Sequence, residues 1–413
     1  MPTSLPTSAR ITARWLQHPS TQAVFAALAA GGYHARAVGG AVRNSLLGHE
    51  VADIDIATSA EPRDVVRCAH SAGLRVVETG LKHGTVTVIT DGHPIEVTTL
   101  REDVATDGRH AEVAFTDDWI ADASRRDFTI NALYCDADGH VFDPLGGLED
   151  LAVRRVRFIG DATARIREDY LRILRFFRFF AQYSNGQPDP EGITACVRER
   201  RGLKRLSGER LRQELLKLIL ARRAQAAVTT MLEHGLLTEI LPVAPRPRLF
   251  QRMLRLDTEG DWALRLAALA VQVPEDAARL AIALKLSNAE RRTLRDAAGG
   301  SCRHVAIEDE AALRHMLYRS GAEAYRHCVL IAWAGSDAPV DDRAFSAALD
   351  LPNRWAVPTF PLSGPDVMAL GVPSGPLIGA HLRALEESWI ERDFEDQRAD
   401  LLSALRDRVL NSD

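Results

Sequence analysis

Hydrophobic and polar positions change period twice along the chain. Helical spacing of apolar residues over 20–30 gives way to a short apolar run at 35–38, a second helical stretch at 41–47, and then β-branched alternation. Strands are expected near 53–57, 85–90 and 94–100, with Thr85–Ile89 and Ile95–Thr99 carrying the clearest two-residue period. Asp91-Gly92 between the last two reads as a hairpin turn. Residues 101–117 are polar, contain Asp107-Gly108, and are expected to form a mobile loop. Strand signals return at 130–135 and 140–142, before Asp143-Pro144 and Gly146-Gly147 close this portion. From about residue 161 the period is helical, broken at Ser184–Pro190, Pro242–Pro247 and Pro352–Pro365. The pattern predicts an α+β head followed by a long helical body, without internal repeats.

Composition bounds this picture. With 413 residues, 46% hydrophobic and 26% charged, the chain can bury a large core and should form at least two domains. No apolar run reaches the roughly 18 residues of a membrane span. The first 49 residues hold no acid and several Arg and Ser, a composition shared with transit peptides, yet they lack the apolar core of a signal peptide. The five cysteines, Cys68, Cys135, Cys196, Cys302 and Cys328, show neither Cys-x-x-Cys nor Cys/His spacing, which argues against a zinc site or a disulfide framework and fits a reducing cytoplasm. Net charge is only −5, but residues 151–220 carry 16 Lys and Arg against 8 Asp and Glu. A polyanion is expected along that segment.

Gly39-Gly40 leads into a short helix, and Asp53 and Asp55 follow at a spacing that points both carboxylates to one face of a strand. Such a pair can hold two hard divalent cations while the glycines let backbone N–H groups approach a phosphate chain. Asp-x-Asp is also common in turns and solvated loops; the apolar neighbours Ile54 and Ile56 and the preceding glycines favour the metal reading. Glu96, in Ile95-Glu96-Val97, can bring a third carboxylate, orient the first two, or simply face solvent.

Arg125-Arg126 just before a strand can neutralise a triphosphate, with Asp127 and Asn131 fixing the sugar or the arginines; an exposed basic turn has the same appearance. On the following helical stretch, Arg172, Arg175 and Arg178 recur every three residues, and Asp169 lies one turn before Arg172. An intrahelical ion pair is one reading of that spacing. Base recognition is the other. Cytosine and adenine present an amine donor beside a ring-nitrogen acceptor, which a carboxylate plus a guanidinium matches; uracil and guanine present the reverse. Unpaired buried charges against the wrong base would cost on the order of several kcal/mol.

Gly39–Asp55, Arg125–Leu133, Asp143–Leu151, Glu168–Phe180 and Ser207–Leu215 together resemble, in order, the motifs of the class II CCA-adding tRNA nucleotidyltransferases and the related bacterial poly(A) polymerases. The resemblance spans roughly residues 35–220. It implies a polymerase-β-type nucleotidyltransferase head over 20–150, a neck for base recognition and RNA binding over 151–220, and a helical body and tail that bind tRNA over 221–413. Asp53 and Asp55 would be catalytic metal ligands for Mg²⁺. Gly39, Gly40, Arg43 and Arg126 would contact the triphosphate, Asp169 and Arg172 would read the base, and Arg175 and Arg178 would continue the nucleotide-binding face. The stretch Arg101–Phe115 resembles the loop that members use in switching from C to A addition, and Phe360–Pro376 resembles a C-terminal segment found in several. Asn44 stands where aspartate is usual, which puts the support of the glycine turn in question. No His-Asp dipeptide is present, so the phosphohydrolase domain of some relatives is not expected. The implied activity is addition of C, C and A to the tRNA 3′ end from CTP and ATP. Poly(A) synthesis, CC-only or A-only addition, and a catalytically silent RNA-binding protein are its rivals.

Overall fold

The computed structural model describes residues 9–78, 80–81, 84–107, 110–296, 302 and 305–410. The chain forms two compact units, one ending at Ile240 and the other beginning at Leu241.

The first unit opens with helices α1 (Arg14–Gln17) and α2 (Pro19–Ala30), strand β1 (Ala35–Val38) and helix α3 (Gly40–Leu47). Then come β2 (Asp55–Thr58), α4 (Pro62–Ser71), β3 (Arg75–Val77), β4 (Thr85–Thr90) and β5 (His93–Thr99). The sheet is completed by β8 (Tyr134–Cys135) and β9 (Val141–Phe142), in the order β3-β4-β5-β2-β1-β8-β9. All its ladders are antiparallel except β2 with β5. Ile56, Val97, Val86 and Val88 are buried toward α2 and α4, whose Val24, Leu28, Val65 and Ala69 are buried as well. The other face carries Val38, Ala57 and Tyr134 in one apolar cluster with Leu100, Ala123 and Ala132. The β4–β5 turn is the expected one: Asp91 and Gly92 take φ of 49° and 80°, the twist a two-residue hairpin needs.

Three expectations need correction here. The stretch 101–117 is a hairpin, β6 (Arg101–Asp107) paired with β7 (His110–Phe115), because polar side chains do not prevent an isolated ladder from satisfying its backbone; Gly108 and Arg109 lie outside the described residues. The strand near 53 begins only at Asp55, although Glu96 N–H donates to Ile54 O at 3.2 Å. Residues 129–131 form a 3₁₀ turn rather than the start of a strand, closed by Asn131 N–H to Phe128 O at 2.9 Å and Ala132 N–H to Thr129 O at 3.0 Å.

Helix α5 (Trp119–Ser124) precedes that turn, and α6 (Gly147–Ala152) follows β9, its first N–H groups capped by the Asp143 carboxylate. The neck is α7 (Ala162–Glu168), α8 (Leu171–Tyr183), α9 (Pro190–Glu199) and α10 (Gly208–Ile219). Helix α8 is fixed by its phenylalanines. Phe176 and Phe179 meet Phe128, and Phe176 meets Phe158, with ring centroids 5.1–6.3 Å apart, so the face bearing Arg172, Arg175 and Arg178 is turned by the burial of the other. The unit ends with Ala224–Glu233 and Leu237–Ile240.

The second unit is helical throughout its described residues. One core gathers Met253, Leu264, Leu317, Val329, Trp333 and Leu351; another gathers Leu362, Val367, Leu385, Trp389, Leu401 and Leu405. The break expected over Pro352–Pro365 falls at 355–363, with Pro352 still in the last turn of the helix Arg343–Arg354. The carbonyl its missing N–H would have reached, Ala348 O, accepts instead from the Tyr325 hydroxyl at 2.8 Å. The expectation of no disulfide is also overturned. Cys302 and Cys328 are bonded across 26 residues, a pairing made by folding that spacing cannot signal. Cys68, Cys135 and Cys196 are free and buried.

Candidate active site

Strand register builds the centre of the site. Tyr134 pairs with Val38, Val38 with Asp55, and Asp55 with Glu96, so these four occupy one row across β8, β1, β2 and β5 and share a face. Asp53 precedes the strand and is exposed, whereas Asp55 is half-buried. Burial pushes the Asp55 carboxyl above its ordinary range, Glu96 and Asp53 push it further, and Arg126 opposes them. None of these three carboxylates takes part in a hydrogen bond or ion pair among the described residues, so their hard oxygen donors are left without a direct partner there and Arg126 acts on Asp55 through charge alone. Asp136, Asp138 and His140 also bring ligand-type atoms within 4.8 Å of one another. They form the β8–β9 turn, where Asp136 Oδ1 accepts from the N–H groups of Asp138 and His140 at 3.1 and 2.8 Å.

Beside the acidic row, the chain turns from β1 into α3 at Gly39, whose φ of 70° and ψ of −117° suit glycine alone. Its N–H donates to Leu133 O at 3.1 Å, and Arg43 N–H returns to Gly39 O at 3.0 Å. The N–H groups of Gly40, Ala41 and Val42 are the ones a helix leaves without an internal acceptor. Two guanidinium groups converge on this turn. A Cβ built on Gly39 would lie 3.8 Å from Arg126 Nη1, and one on Gly40 3.9 Å from Arg43 Nη2. Gly39→Ala should cost about 1–3 kcal/mol of stability through backbone strain alone, measurable by urea denaturation, since the space itself is sufficient.

Arg43 is buried and its orientation is determined by its partners. Asn131 Oδ1 accepts from Nη1, the Tyr183 hydroxyl from Nη2 at 2.7 Å, and Asn44 Oδ1 from Nη2 at 3.0 Å and Nε at 3.2 Å. The asparagine at 44 therefore supports Arg43 rather than the glycine turn. Asn131 Nδ2 donates to Asp127 Oδ1 at 2.9 Å, and Asp127 Oδ2 accepts from Arg175 Nε at 2.7 Å. Asp127 and Asn131 thus fix arginines, one of the roles their sequence positions allow.

All three neck arginines enter ion pairs. Arg175 is paired with Asp127, and Arg178 with Glu214 at 2.5 Å, so both enter ion pairs rather than presenting open cations. Asp169 and Arg172 are adjacent in space but not paired with each other. Asp169 Oδ2 accepts from Arg210 Nη2 at 2.7 Å and Oδ1 from Leu171 N–H at 3.1 Å. Arg172 is bound by Glu168 and donates to Arg165 O at 2.8 Å. The i, i+3 spacing of Asp169 and Arg172 cannot form an intrahelical pair because Asp169 lies outside the helix, with φ −154° and ψ 106°, between α7 and α8.

Sequence reading missed Asp122, Tyr134, Tyr183, Arg210 and Glu214. The Asp122 carboxylate receives both members of the double arginine, Arg125 at 2.7 Å and Arg126 at 3.0 Å, and the Tyr134 hydroxyl at 2.7 Å. Burial alone would push the Asp122 carboxyl up, but Arg126, Arg125 and the tyrosine hold it below the ordinary range. Its i, i+3 and i, i+4 spacing to the arginines was the legible signal.

The arrangement joins a group of carboxylates, the N–H groups of a helix start and two fixed guanidinium groups. Comparisons with known proteins give the family. Residues 35–157 match the Poly A polymerase head domain, and residues 187–246 match a region described as the probable RNA and SrmB-binding site of polymerase A. The chain is 35% identical over 386 residues to the human mitochondrial CCA tRNA nucleotidyltransferase 1, covering 90% of this chain and 86% of that protein. It is 32% identical over 398 residues to the CCA-adding enzyme of Geobacillus stearothermophilus, covering 91% and 94%. The crystal structure of the Bacillus stearothermophilus CCA-adding enzyme in complex with CTP superimposes with a TM-score of 0.79 at 29% identity, over 95% of this chain and 100% of that one.

Proposed function

The chain belongs to the CCA-adding family of tRNA nucleotidyltransferases, and from that premise we propose that it adds C, C and A in turn to the 3′ end of tRNA, using CTP and ATP. The observation that carries this reading is the position of Arg126. It faces Asp55 electrostatically and the Gly39 turn sterically, so one side chain connects the acidic row to the helix start.

Metal-ligand chemistry fits the residues present. Asp53 and Asp55, with Glu96 beside them, offer the hard oxygen donors that Mg²⁺ prefers, and their mutual repulsion is what a divalent cation relieves. When bound, such ions would supply Lewis acidity to the RNA 3′-hydroxyl and offset charge on the departing pyrophosphate. The protein's own groups then do the positioning. The N–H groups opening α3 and the Arg126 guanidinium hold the triphosphate, while Arg43, held by Asn131 and Tyr183, keeps the turn in shape.

Base choice falls to Asp169 and Arg172, a carboxylate and a guanidinium that match the amine-plus-acceptor edge of cytosine and adenine. Arg172→Ala should reduce discrimination against UTP and GTP by about tenfold or more while changing triphosphate affinity less, as read from kcat/KM for each nucleotide. Unchanged selectivity would reject the role. The basic segment 151–220 and the helical region that follows supply the RNA surface, recognised by shape and phosphate contacts. No helix among the described residues is long and apolar enough to cross a membrane.

A further inference from the structure

We propose that Asp122 is a positioning residue for triphosphate binding: its carboxylate, with the Tyr134 hydroxyl, clamps Arg126 so that one edge of the guanidinium stays aimed at the Gly39 turn. The proposal rests on the reading of that turn as the triphosphate site. Asp122 is 1% exposed on α5. Its Oδ1 accepts from Arg125 Nε at 2.8 Å and Nη2 at 2.7 Å. Its Oδ2 accepts from Arg126 Nη2 at 3.0 Å and Nε at 3.3 Å, and from Tyr134 OH at 2.7 Å. Two of the three Arg126 nitrogens are thereby committed, and the Tyr134 ring lies 5.4 Å from the guanidinium carbon. The third nitrogen, Nη1, is the one beside Gly39.

A free arginine side chain carries rotamer entropy that is lost when it docks on a phosphate. Here the loss is incurred on folding, before substrate arrives. The backbone of the double arginine also meets the neck: Arg165 Nη2 donates to Arg126 O at 2.7 Å and Arg172 Nη2 to Arg125 O at 3.4 Å. Asp122 touches no substrate in this scheme and acts only through Arg126.

The test uses the full chain and two variants, Asp122→Asn and Tyr134→Phe, with steady-state kinetics on a tRNA transcript and calorimetric titration of inorganic pyrophosphate. Asp122→Asn should raise KM for CTP and ATP alike, and weaken pyrophosphate binding, by about tenfold, with kcat altered less than about threefold and base choice unchanged. Tyr134→Phe, which removes the hydroxyl's hydrogen bonds to Asp122 Oδ2 and from Arg126 Nε but no charge, should move the same quantities by about threefold. A merely structural Asp122 would lower the active fraction, and so kcat, while KM and pyrophosphate affinity stayed at parent values; that result overturns the proposal. Should Asp122→Asn fail to fold, Tyr134→Phe decides on the same readouts. Pyrophosphate titration needs no turnover, so a parent protein that bound pyrophosphate but incorporated no nucleotide would contradict the proposed function and leave the Asp122 claim to be judged by the variants' affinities.

Discussion

Asp55→Asn will lower nucleotide incorporation by at least about a thousandfold, and the metal-free variant will be as stable as its parent or more so. The first effect follows from removing a carboxylate whose cation is asked to supply several kcal/mol to the transition state; about 4 kcal/mol corresponds to roughly a thousandfold in rate. The second follows from the sign of the titration. Burial, then Glu96 and Asp53, raise the Asp55 pKa above the ordinary 3.8, so the folded state holds this proton more tightly than the unfolded chain. Stability from this group is therefore greatest below the unfolded value, falls as pH rises through the interval up to the raised folded value, and stays low at neutral pH. Asparagine removes that penalty. Mg²⁺ should offset it in the parent, raising the thermal midpoint there and much less in the variant, and chelation should abolish incorporation by the parent. Full activity in Asp55→Asn would reject the metal assignment.

Asp127→Ala should cost about 3–5 kcal/mol of stability, the penalty for removing one partner of a buried ion pair. Asp127 is 7% exposed and accepts from Phe128 N–H and Asn131 Nδ2, both at 2.9 Å, and from Arg175 Nη2 at 2.6 Å. Its loss leaves Asn131 and Arg175 short of an acceptor and slackens the chain of contacts that fixes Arg43. Burial alone would raise the Asp127 pKa, but Arg175 and Asn131 outweigh it and lower it. The stabilisation is thus fully present above the unfolded value and is lost as pH falls through the depressed folded one. Urea denaturation at pH 7 should show the full loss. The difference between parent and variant should shrink below about pH 4. A change under about 1 kcal/mol at pH 7 would contradict this account of the neck.

Local pattern and tertiary context divided the work of prediction. Strands with β-branched alternation, such as Thr85–Thr90, and helices with strong punctuation, such as the one opened by Gly39-Gly40, were legible because each rule acts within a few residues. The β6–β7 hairpin was not, since its polar residues give no apolar period while the backbone ladder forms regardless. Within the site, strand register sets Asp55 beside Glu96, while Arg126 reaches the Gly39 turn from 87 residues further along the chain, a proximity spacing does not report. Arg175 and Arg178 looked identical to Arg172 in sequence. Their carboxylate partners, Asp127 and Glu214, lie 48 and 36 residues away, a distance no periodicity reports. Arg210 was visible inside a recognised motif, yet its partner Asp169 is 41 residues distant. The Cys302–Cys328 bond escaped for the same reason.

The most direct test offers labelled CTP, ATP, UTP and GTP separately and together to tRNA transcripts ending just before CCA, after the first C and after CC. The account predicts two C additions on the first transcript, one on the second, a single A on the third and then a stop, with UTP and GTP left unused. Long adenylate tails without any extension from CTP would contradict it.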